Sequence, residues 1–213
     1  MKDSKPIRPV RLAHIGIQSA DVARIRDWYI TLLGGEVVFE RIPFFSFVTF
    51  DDEHHRFAIH ALPGPGEPQQ RAERAPGFSH TAFAMGSVFD LLTNYERARD
   101  AGIKPEVGMH HGTTLSLYYR DPDGNQVELS VDRFKNHADA RRFMDGPVFQ
   151  HSLGMGDIFQ PEEKLSRMKA GANEDELMFY DEVRAMNVDP IAEMKKILEG
   201  PSAGDSSATV TNA

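Results

Sequence analysis

Two hydrophobic rhythms alternate along the first 134 residues, one with a period of two and one near 3.6, and both halves use the same order. Arg11–Ile17 reads as a strand with Ala13, Ile15 and Ile17 on one face and His14 on the other. A helix is predicted over Asp21–Leu33, with Ser19 or Asp21 as its cap and Gly34-Gly35 as its stop. Three strands complete this half: Glu36–Arg41, Phe45–Phe50 and His55–Leu62. Pro43 divides the first two, and the acidic turn Asp51-Asp52-Glu53 divides the last two. Four phenylalanines, Phe44, Phe45, Phe47 and Phe50, crowd the middle strand, where core packing is the expectation and one or two could line an aromatic pocket.

Residues 63–76, rich in Pro, Gly, Gln and Arg, read as a linker. After them the order repeats. A strand over Gly77–Met85 leads into a helix over Ser87–Ala101, stopped by Gly102, and a short strand over Lys104–Met109. Thr113–Arg120 and Asn125–Val131 form a hairpin through Asp121-Pro122-Asp123-Gly124, with Pro where a turn wants fixed φ and Gly where it wants freedom. Each half is therefore βαβββ. From Phe134 onward short helices are predicted with no strand between them, over Ala138–Phe143, Glu162–Lys169, Glu174–Arg184 and Pro190–Leu198. The expected organisation is an arm (1–10), a first module (11–62), the linker, a second module (77–134), a helical extension (135–199) and a disordered tail (200–213). The fold class is α+β, two βαβββ modules forming a curved sheet or open barrel around one site.

The repeat has chemical content. His80 follows His14 by 66 residues, and at that offset Val22 matches Val88, Ile25 matches Leu91 and Tyr29 matches Tyr95. A unit used twice would set its two first-strand histidines facing one cleft. Glu128 lies on the last strand of the second unit, just after the turn. Two imidazoles and one carboxylate are the facial triad of non-haem iron oxygenases, which leaves three metal positions open. A lone histidine in an apolar strand is more often packed in a core, and alternation with Val127 and Leu129 leaves Glu128 open to being a solvated edge carboxylate.

Composition narrows the classes. A chain of 213 residues suffices for one substantial domain or two small ones sharing a core. The net charge of −8 disfavours nucleic acid and anionic membranes as partners. With no cysteine, disulfides, thiolate catalysis and cysteine-ligated zinc are excluded, which fits a reducing cytoplasm. Met1–Val10 is polar, and no apolar run approaches membrane-spanning length. A cytoplasmic homo-oligomer acting on a small molecule is the expectation.

The duplicated unit with these histidines and this glutamate resembles the vicinal oxygen chelate superfamily. DDEHHRFAI and HHGTTLSLYYRDPDGNQVELSVDRF carry the likeness further, to type I extradiol catechol dioxygenases, and most to one-domain biphenyl-2,3-diol 1,2-dioxygenase-like members, over Arg11 to Phe134. The resemblance implies Fe(II), with Mn(II) compatible, on His14, His80 and Glu128, and a catechol, with an aryl substituent, cleaved beside its diol carbons using O2 in aromatic hydrocarbon catabolism. It implies that His55 is the acid–base residue, that Tyr118, ten residues before Glu128, is the active-site tyrosine, and that His111 or its neighbour His110 is the remaining pocket histidine. His54 and His55, if on a strand, would point to opposite faces, as would Tyr118 and Tyr119. His60, His137 and His151 read as structural or surface residues.

Two other readings share the scaffold. A glyoxalase-type isomerase needs a carboxylate on the strand HRFAIHAL, which has none. A thiol transferase conferring antibiotic resistance uses the same His, His, Glu set, and His55, His111, Tyr118 and the helical extension argue against it. A metal-free module that binds an aromatic compound has no use for the three ligands together.

Overall fold

The computed structural model describes residues 8–64 and 77–192. The linker from residue 65 on, the tail from residue 200 and most of the last expected helix lie outside the described residues. In each half the order is βαβββ: β1 (Ile15–Ser19), α1 (Val22–Leu33), β2 (Glu36–Arg41), β3 (Phe45–Thr49) and β4 (Phe57–Ala61), then β5 (His80–Ala84), α2 (Val88–Asp100), β6 (Val107–His110), β7 (Thr114–Arg120) and β8 (Gln126–Asp132). The extension supplies α3 (His137–Asp145), α4 (Pro147–Ser152), β9 (Asp157–Phe159), α5 (Pro161–Lys169), α6 (Glu174–Leu177) and α7 (Glu182–Asn187). The strands form two sheets, ordered β1-β4-β3-β2 and β5-β8-β7-β6-β9, and these are not closed into a barrel.

The chain resolves into two compact units. One joins Met1–Ala82 to Asn94–Glu106 and Tyr118–Glu128; the other joins Phe83–Thr93, Val107–Leu117 and Leu129–Ala213. In the first unit α1 starts where the Asp21 side chain accepts from the Arg24 amide, and ends at Gly34 in the left-handed region with its N–H on the Ile30 carbonyl. Val22, Ile25, Tyr29 and Leu32 recur at helical spacing and are buried, and the helix lies on β1, β3 and β4, where Val48, Phe57 and Ile59 are buried. Each such side chain stabilises the fold by roughly 1.5–3 kcal/mol.

The register decides what the other face of this sheet carries. Parallel pairing sets Ile15 beside Phe57 and Gly16 beside Ala58, and antiparallel pairing sets Phe47 beside Ala58 and Phe45 beside His60. Ser46 and Val48 turn inward, so Phe45 and Phe47 turn to the open face. This corrects the expectation of a phenylalanine core: none of Phe44, Phe45, Phe47 and Phe50 is fully buried, and Phe44 is 68% exposed.

In the second unit Leu115, Leu117, Leu129 and Val131 are buried along β7 and β8, and so are Leu165, Leu177 and Tyr180 from the extension. The extension departs from expectation in three ways. It carries a strand, β9, which pairs antiparallel with β6. Residues 147–152 form α4, started by Pro147. The helix expected over Glu174–Arg184 is two: Asn173 caps the first in a capping box, and Asp181 caps the second. The extension reaches the sheet where side chains are absent. A Cβ on Gly108 would stand 2.9 Å from the Phe159 ring, and one on Gly112, at φ +81°, would stand 2.8 Å from Phe143.

Candidate active site

In the first unit Glu128, on β8, is buried to 7% exposure, and its Oε2 lies 3.0 Å from His80 Nε2 at the start of β5. His80 Nδ1 is 3.2 Å from the Ser79 hydroxyl, a contact that turns the other ring nitrogen toward the carboxylate. The Tyr118 ring meets the His80 ring edge-on, with centroids 5.6 Å apart, while Tyr119 is wholly buried. The alternation of these two tyrosines is as the sequence predicts.

His14 stands one residue before β1, outside the strand expected for it, and its ring lies 4.7 Å from that of His55. His55 in turn stacks on Phe47, with centroids 4.9 Å apart and planes 17° from parallel. His54 and His55 also depart from expectation. The strand begins at Phe57, so both precede it, and instead of diverging they touch, with Nδ1 atoms 2.6 Å apart. Partial burial, then the neighbouring imidazoles of His54 and His14, hold the His55 pKa below its ordinary value and favour the neutral ring.

His110 and His111 separate cleanly in the second unit. His110 is buried, its Nδ1 accepts from the Gly112 amide, and its Nε2 donates to the Met178 carbonyl. Burial pushes its pKa down to about 4. With both nitrogens engaged it anchors the extension. His111 is half-buried, with Nδ1 2.9 Å from the Gly154 carbonyl. His60 is exposed beside Phe45 and Phe47, and His151 Nε2 donates to the Val188 carbonyl.

Three contacts have no motif in the sequence: Ser79 behind His80, Phe47 under His55 and Gly154 on His111. Phe47 had a signal, since its neighbours Ser46 and Val48 point the other way.

The donor chemistry suits a divalent cation. A nine-tenths buried carboxylate whose near partner among the described residues is an imidazole, with no Lys or Arg at ion-pair distance, is short of positive charge. Among the described residues no three His, Asp or Glu side chains are drawn together as a metal group, and His14 packs on His55. Two of the expected ligands are thus paired and the third lies with the expected acid–base residue.

The sequence profile of the glyoxalase/bleomycin resistance protein/dioxygenase superfamily matches residues 11–129. The chain belongs to that superfamily. Within it the chain stands with the extradiol dioxygenase-like members. It is 42% identical over 167 residues to biphenyl-2,3-diol 1,2-dioxygenase 3 of Rhodococcus globerulus, covering 78% of this chain and 86% of that protein. To biphenyl-2,3-diol 1,2-dioxygenase 2 of the same organism it is 40% identical, with the same coverage. A glyoxylase/bleomycin resistance protein/dioxygenase domain from Frankia sp. EAN1pec shares the fold, with a TM-score of 0.51 and 22% identity, covering 61% of this chain and 97% of that one.

Proposed function

We propose that this superfamily member is an Fe(II)-dependent extradiol dioxygenase that opens an aryl-substituted catechol with O2, in the cytoplasm. The observation that carries the reading is the buried His80–Glu128 pair with Tyr118 against it, in a chain 42% identical to a biphenyl-2,3-diol dioxygenase. His14, His80 and Glu128 would hold the metal, and the same ligand set accepts Mn(II). Bound there, the ion supplies open positions for the diol and for oxygen and a path for electrons between them.

The chain's own groups handle the protons and the ring. His55, kept neutral and stacked on Phe47, accepts a proton from the diol and later returns one. The Tyr118 phenol, set against the His80 ring, holds an oxygen atom of the substrate in place. The open face of the first sheet suits an aromatic substituent. Gly16 and Ala58 leave its floor low, since nothing lies within 4 Å of a Cβ placed on Gly16, and Phe47, Phe45 and His60 border it.

The test is anaerobic reconstitution with Fe(II) or Mn(II), then 2,3-dihydroxybiphenyl or catechol in air. A yellow ring-opened product with one metal, greater for the biphenyl, is the expected outcome. Metal-loaded protein that opens no catechol, or that instead joins a thiol to an electrophilic substrate, overturns the reading.

A further inference from the structure

We propose that β2 is a self-association edge, at which two copies of this chain pair antiparallel about a two-fold axis. β2 is the outermost strand of its sheet and carries apolar side chains on both faces. Val38 is 49% exposed and Phe39 46%, with Val37, Ile42 and Phe44 also exposed beside them. An edge strand offers unpaired backbone donors and acceptors, and in most proteins charge or cover protects it. Here the run Val37-Val38-Phe39 faces outward instead.

The charges at the two ends of β2 say which partner fits. In an antiparallel two-fold pairing that sets Val38 across from Phe39, Glu36 of each copy falls opposite Arg41 of the other. The pairing to β3 places Glu36 beside Thr49 and Arg41 beside Phe45. Thr49 and Phe45 are an even number of residues apart on one strand, so Glu36 and Arg41 project from the same face and can meet across the axis. Glu36 has no ion pair among the described residues, and Arg41 reaches only its neighbour's carbonyl, at Glu40, and the Phe39 ring. The segment is therefore self-complementary: acidic at one end, basic at the other, apolar between. That is the pattern an isologous interface requires. The irregularity between Val37 and Phe39 leaves Val38 out of the β3 ladder, turned toward a newcomer, and keeps the new ladder short. The apolar side chains thus supply most of the association, and the Glu36–Arg41 pairs fix its register.

The test is sedimentation velocity of the full chain across the micromolar range, with charge swaps as probes. The wild type should sediment above the mass of one chain. Glu36→Arg and Arg41→Glu should each raise the dissociation constant roughly tenfold or more, because like charges then oppose each other twice. The double variant Glu36→Arg/Arg41→Glu should restore association. Both positions are exposed, so the far-ultraviolet circular dichroism should be unchanged. A wild type that stays a single chain overturns the proposal. So does an assembly whose mass neither single swap alters, or one that the double swap fails to restore.

Discussion

The Tyr29 hydroxyl donates to Asp121 Oδ2 at 3.1 Å, joining the helix of the first module to the turn that leads into the strand of Glu128. Asp121 is the centre of that turn. Its Oδ1 accepts from the amides of Asp123 and Asn125, and its Oδ2 also accepts from the Asn125 side chain. Burial, reinforced by the Asp121 charge, raises the pKa of Tyr29 and keeps the phenol a donor. Tyr29→Phe should leave a buried carboxylate oxygen with one partner fewer, at a cost of about 1–2 kcal/mol. Urea unfolding should show the loss, with iron content unchanged.

His14→Ala, His80→Ala and Glu128→Ala should each abolish stoichiometric iron while the far-ultraviolet dichroism survives. Glu128→Gln should hold metal weakly and turn over little, because an amide lacks the charge that offsets the cation. Metal analysis of anaerobically purified protein decides it, and any alanine variant with full iron leaves the ligand set.

His55→Gln should retain iron and bind catechol yet lose about 10²–10⁴-fold in turnover, the range of general acid–base contributions. The His54 ring touches that of His55. His54→Gln should shift the acidic limb of the kcat/KM profile without eliminating activity. Equal turnover in His55→Gln and wild type would remove the proton role.

The buried His110 gives stability a defined pH dependence. Its pKa of about 4 in the folded protein lies below the ordinary 6.5, so the unfolded chain takes up the proton first. The contribution is fully present above pH 6.5 and is lost as pH falls toward 4, amounting to roughly 3 kcal/mol at most. Urea midpoints at pH 4.5 and 7.5 should differ less in His110→Asn than in wild type.

Gly16→Leu should fill the open face of the first sheet. Turnover of 2,3-dihydroxybiphenyl should then fall at least about tenfold relative to unsubstituted catechol, the discrimination that a few methylenes supply. Iron content serves as the control, and an unchanged ratio places the substituent elsewhere.

Much of this architecture was legible because its signals are local. Gly34 and Gly102 stop their helices, Asp121 to Gly124 makes its turn, and Val22, Ile25, Tyr29 and Leu32 mark a buried stripe. The errors arose where a local pattern depends on remote contacts. His55 looked like a strand residue, but β4 starts only at Phe57, where pairing with β1 and β3 begins. The phenylalanines of β3 are apolar yet face outward, because the helix covers the Ser46 and Val48 side. β9 was invisible, since three residues have no periodicity and form a strand only because β6 has an edge to offer. Of the expected site, His80, Glu128 and Tyr118 come together, whereas His14 keeps company with His55.

The β6–β9 pairing also redraws where this catalyst can be cut. A minimal version ending after β8, at the boundary that the two-module pattern suggests, would strip β6 of its neighbour, uncover His110 and leave Gly108 and Gly112 as gaps in the surface. The smallest useful fragment for engineering therefore runs through Tyr180 and α7, and a fusion partner belongs beyond residue 192 rather than after residue 134.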